Sequence, residues 1–85
     1  MTKSAKRRLG RAYLRDAEAE AFRVQIAASP GEAVENLCHA HDLYARGCML
    51  IEPINPTTEQ ELLAEQKRIG NVVTAARQKF KKSLQ

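Results

Sequence analysis

Tryptophan is absent from this 85-residue chain, and the other aromatics are two tyrosines and two phenylalanines. A core must therefore be assembled from Ala, Leu, Val and Ile, which pack tightly but bury little area in so short a chain. Tyr13, Phe22, Tyr44 and Phe80 are also too scattered to form a base-stacking platform. The longest apolar run considered, Cys48-Met49-Leu50-Ile51, falls far short of the ~20 residues that cross a bilayer. No apolar block of roughly 7–15 residues follows the basic start, so a secretory signal is not expected. Glu18 and Glu20 arrive too early for a transit peptide. The two cysteines, Cys38 and Cys48, fall on one predicted helix, about 15 Å apart along its axis. A disulfide needs Cα atoms within roughly 7 Å, so reduced thiols in a cytoplasmic protein are the expectation. One domain, residues 1–85, is all that this length allows.

What is present is charge, unevenly placed. The net charge is +4. Lys3, Lys6, Arg7, Arg8, Arg11 and Arg15 occupy the first fifteen residues without a single acid, and all ten acids fall between Asp16 and Glu65. Arg77, Lys79, Lys81 and Lys82 then close the chain, so both ends are basic around an acidic middle.

Two helix-start signals divide the sequence. Ser29-Pro30-Gly31-Glu32 offers a capping hydroxyl, a proline suited to the first helical position and a glutamate that can reach back. In Pro56-Thr57-Thr58-Glu59-Gln60-Glu61, either Thr57 with Gln60 or Thr58 with Glu61 completes the same reciprocal box. With no strand pattern between them, these signals predict an all-α, up-down-up bundle of three helices over 4–28, 30–51 and 58–82. Residues 1–7 are open to fraying as a basic arm. Self-association would complete so small a core, and a homodimer is expected.

The helical faces follow from a period of 3.6. In the first segment Gly10, Leu14, Ala17, Ala21, Val24 and Ala28 form a narrow stripe whose small residues admit a close neighbour. A second strip lies to one side: Arg8, Arg11 and Arg15, then Ala19, Phe22 and Ile26. In the second segment Ala33, Val34, Leu37, Cys38, Ala40, His41, Tyr44, Ala45 and Cys48 make one broad face. Gly47 is a weak point through which the helix continues to Ile51. In the third, Leu62, Gln66, Ile69, Val73, Ala76 and Phe80 repeat at alternating spacings of four and three, with Val72 widening the seam. Segments two and three are expected to pair antiparallel.

A three-helix monomer has room to bury one stripe of its first helix, not two. The second strip is therefore the expected docking surface for another protein. Phe22 and Ile26 would supply affinity, and Arg8, Arg11 and Arg15 orientation. The function expected is a non-catalytic helical interaction module: an adaptor, inhibitor or chaperone-like regulator. The alternative is nucleic-acid binding through Lys3, Lys6, Arg7, Arg8 and Arg11, since cations gathered in a helix's first turn oppose its dipole and suit an anionic partner. No helix-turn-helix supports sequence-specific reading. Cys38 and His41 can present two ligands to zinc, but a closed site needs four, so no metal or other cofactor is expected. No phosphate loop, nucleophile elbow or supported carboxylate pair appears, and no enzymatic activity or small-molecule substrate is expected.

Ala40-His41-Asp42-Leu43 resembles the histidine phosphotransfer domains, whose phospho-accepting histidine lies on a helix of a four-helix bundle. The resemblance implies phosphotransfer at His41. It covers four residues, and Tyr44 and Ala45 stand where those domains usually carry Lys-Gly. On the broad face above, His41 is expected to point along the apolar stripe rather than into solvent.

Overall fold

Thr2 starts the first helix of the computed structural model: its backbone is extended (φ −72°, ψ 161°) and its hydroxyl oxygen accepts a hydrogen bond from the Ala5 amide at 3.1 Å. With that cap in place, α1 runs Lys3–Gln25 and takes in the basic residues expected to fray. The structure describes residues 2–51 and 60–83, which form α1, α2 (Pro30–Ile51) and α3 (Gln60–Ser83) and, among the described residues, no strand. This is an all-α three-helix bundle.

The turn between α1 and α2 is set by side chains. Ser29 Oγ accepts from the Glu32 amide at 3.2 Å, as the capping signal predicts. The Glu32 carboxylate, however, accepts from the Ala28 amide at 3.0 Å rather than from that of Ser29. The reciprocal box thus holds the turn as well as the cap. Pro30 disfavours helical backbone at Ser29, so α1 stops at Gln25 instead of Ala28, with the Ile26 amide donating back to the Arg23 carbonyl at 3.3 Å. The candidate caps Thr57 and Thr58, and the link through Pro53 and Pro56, lie outside the described residues.

Pairings along the helices fix their directions. Gly10 lies against Gly47 and Ile51, and Glu20 lies near His39, so α1 and α2 are antiparallel. Arg11 reaches Glu65, Glu18 reaches Arg68 and Gln25 reaches Lys79, so α1 and α3 run parallel. Tyr44 meets Gly70 and Cys48 meets Gln66, which makes α2 and α3 antiparallel.

α1 packs most intimately on α2, less on α3, and α2 and α3 touch least. α2 and α3 are antiparallel, as expected, yet the closest packing is between α1 and α2. The reason is residue size. A Cβ built on Gly10 would stand 3.2 Å from the Gly47 carbonyl oxygen, and one on Gly47 would stand 3.0 Å from that of Gly10. The two backbones approach so closely that a side chain at either position would have to push its neighbour away by a few tenths of an ångström.

The core is small-residue in character: Ala17, Ala21, Ala33, Ala40 and Ala76 are buried beside the bulkier Leu14, Ile51, Ile69 and Val73. Those four are almost fully enclosed, each contributing roughly 1.5–3 kcal/mol. The α1 stripe is buried from Gly10 to Val24, and Ala28, beyond the helix end, is exposed. The α3 seam is buried at Leu62, Ile69, Val73 and Ala76, with Gln66, Val72 and Phe80 half-buried. On α2 the face is turned from the expected one. Ala33, Ala40, Leu43, Gly47 and Ile51 are buried, while Val34, Cys38, His41 and Ala45 are exposed.

Candidate protein interaction surface

On α1 the second strip reaches solvent where it is apolar. Phe22 is 54% exposed and Ile26 81%. The arginines of the strip are placed differently from one another. Arg8 is exposed, but the Arg11 Nη2 donates to Glu65 Oε2 at 3.0 Å, and Arg15 Nε lies 3.6 Å from Glu65 Oε1. Two of the three arginines expected to orient a partner therefore hold α3 against α1. Glu65 is the residue that sequence reasoning missed. Its position flanking the α3 seam between Leu62 and Ile69 marks it as able to reach a packed neighbour, but the sequence does not name that neighbour.

Glu20 was missed in the same way. It is buried, and its carboxylate accepts from Arg23 Nη1 at 2.6 Å and lies 3.7 Å from His39 Nδ1 on α2. A further ion pair, Arg68 with Glu18, spans α1 and α3. Between α2 and α3, Gln66 Nε2 donates to Cys48 Sγ at 3.1 Å. Tyr44 is held beside these groups, and burial first, then the Cys48 thiol, pushes its phenol from 10.0 up to about 12.

The residues named for nucleic acid do not all leave α1 on one side, Lys6 standing apart from the others. Lys3, Lys6 and Arg8 are exposed, yet Lys6 and Arg8 leave the helix in nearly opposite directions at 100° per residue. Arg7 is half-buried and Arg11 is engaged by Glu65. Because α1 and α3 are parallel, the basic start of α1 and the basic end of α3 lie at opposite ends of the molecule.

The histidine and cysteine expected on the packed face of α2 are on its outer side. His41 is exposed, as is Cys38, because the small residues Ala33, Ala40 and Gly47 turn toward α1 and carry His41 outward. Among the described residues no group of three or more His, Cys, Asp or Glu side chains is placed to hold a metal ion. No described helix is long and apolar enough to cross a membrane.

A cleft of about 410 Å³ opens where the α1–α2 turn meets the end of α3, lined by Val24, Ala27, Pro30, Ala76, Lys79 and Phe80 among others. Its one ionisable side chain is Lys79, whose Nζ donates to Gln25 Oε1 at 3.3 Å. The chain matches no protein-family model, no curated protein and no solved structure.

Proposed function

We propose that this protein is a non-catalytic helical module that docks onto another protein through α1. The observation that supports it is the exposure of Phe22 on the last turn of α1 and of Ile26 at its C-cap, beside a stripe that is already filled. Contiguous exposed apolar side chains of this size mark interaction surfaces more often than chance exposure does. Arg8 is the strip's cation without an intramolecular ion pair to Glu65, and it sits at the rim, where charge steers approach more than it adds affinity. The role suits an adaptor or regulator in a reducing compartment, where Cys38 and Cys48 remain free thiols.

Replacing Phe22 and Ile26 together by Ser tests the reading. Both side chains are largely in solvent, so the double variant should keep its helical circular dichroism and lose about 1 kcal/mol of stability or less. A photo-cross-linker at position 22 should capture one predominant protein in the native cell, whereas the same probe at exposed Asn71 should not. An unfolded double variant would show that the strip is core. Indiscriminate capture at both positions would show that it is ordinary surface.

A further inference from the structure

α2 carries a second apolar stripe on its outward side. Val34, Cys38, His41, Ala45 and Met49 recur at spacings of four, three, four and four, and all are exposed, Val34 by 44% and Met49 by 73%. That spacing is the one by which helices pair along a seam. The stripe belongs to α2, whose contact with α3 is the slightest in the bundle.

We propose that this stripe is a self-pairing seam, in which two copies of the chain bring their α2 helices together antiparallel. The stripe is complementary to itself. Its midpoint falls between His41 and Asp42, and a two-fold axis there sets Val34 against the partner's Met49 and Cys38 against the partner's Ala45. The paired histidines lie nearest the axis. Charge selects the direction. Glu35 and Arg46 lie on the same flank of the stripe, at similar distances either side of the midpoint. Antiparallel pairing keeps this flank of both copies on one side of the seam and places each Glu35 near the partner's Arg46, whereas parallel pairing puts the two flanks on opposite sides and keeps Glu35 and Arg46 of the two copies apart. The two Asp42 carboxylates meet near the axis, each paired with its own Arg46, whose Nε is 3.2 Å away and which then lies between that carboxylate and the partner's Glu35.

The seam is about 22 Å long, roughly two heptads, and buries less than the ~1,200 Å² of a standard stable interface. The dimer is therefore weak and concentration-dependent. It uses a surface separate from Phe22 and Ile26, so it stands or falls independently of the docking role of α1.

Light scattering on the full chain over a hundredfold range of concentration tests the pairing, at low and at high salt. The mass should rise from one copy toward two in both salts, because the seam is chiefly apolar. Val34→Glu with Met49→Glu should move that transition at least about tenfold higher in concentration without changing the helical signal. The Phe22→Ser, Ile26→Ser variant should dimerise as the parent does. Orientation is read by oxidation in a Cys48→Ser background, in which serine still offers Gln66 an acceptor. Adding Ala45→Cys should then give an interchain disulfide to the partner's Cys38, while Cys38 as the sole thiol should not cross-link. A chain that stays monomeric throughout, a glutamate variant that dimerises normally, or ready cross-linking through Cys38 alone would each overturn the proposal. Loss of the dimer in the Phe22, Ile26 variant would also overturn it, by moving the contact to α1.

Discussion

Gly47 and Gly70 look alike in the sequence but are held by different neighbours. A methyl group at Gly47 would meet the Gly10 carbonyl oxygen at 3.0 Å and Leu14 Cδ2 at 2.9 Å, backbone on one side and an enclosed core residue on the other. At Gly70 it would meet the Tyr44 hydroxyl at 2.6 Å, the far end of a half-buried side chain that can swing aside. Alanine gains about 1 kcal/mol over glycine in a helix. Gly47→Ala should nonetheless lose about 1–3 kcal/mol, because α1 and α2 must separate. Gly70→Ala should come out near neutral, and urea denaturation of the two variants measures the difference. Tyr44 supplies a test in pH. Its phenol is pushed up to about 12 by burial and by Cys48, so folding favours the protonated form. The stability this adds is fully present below pH 10.0, the ordinary value, and is lost as pH rises through about 12. Tyr44→Phe should remove that alkaline loss, and the two denaturation midpoints, compared across this range, should converge from different values.

The three helices are attached to one another by different means. α1 and α2 join through close backbone approach and the capped turn, whereas α3 adds ion pairs to α1 beside its buried seam: Arg11 and Arg15 to Glu65, and Arg68 to Glu18. The arginines are 42% to 66% exposed, which limits the worth of each pair. Glu65→Ala should cost about 1 kcal/mol and should show chiefly as faster amide hydrogen exchange in α3, with α1 and α2 little affected. The elements were mostly legible in the sequence. Ser29 and Pro30 mark the start of α2 because their chemistry is local, and the α3 seam is narrow enough for its period to define one face. The face of α2 was not legible. Its apolar residues, from Val34 through Met49, cover more than half the helical wheel, so periodicity alone admits several rotations. Gly47 chooses among them only through its fit to Gly10, a contact 37 positions away in the chain.

At the scale of the whole molecule, 43 × 22 × 15 Å, charge and grease are sorted by direction. The parallel run of α1 and α3 puts basic residues at both ends of the long axis, and Glu18, Glu20 and Glu65 of the acidic middle bind arginines of the same chain. The apolar excess expected on α1 is present at Phe22 and Ile26, and a second excess on α2 appears only once that helix is turned. The expected arginine rim was legible as charge but not as pairing, because the acid that engages it sits 54 residues away from Arg11. The four-residue connection at 26–29 has a temporal consequence. Everything that α1 and α2 need in order to close on each other is encoded before α3 begins, so the two can meet as they clear the ribosome, while α3 is still inside its exit tunnel. The order of birth thus leaves the outer side of α2 open from the start, and the late-arriving α3 covers only its near edge.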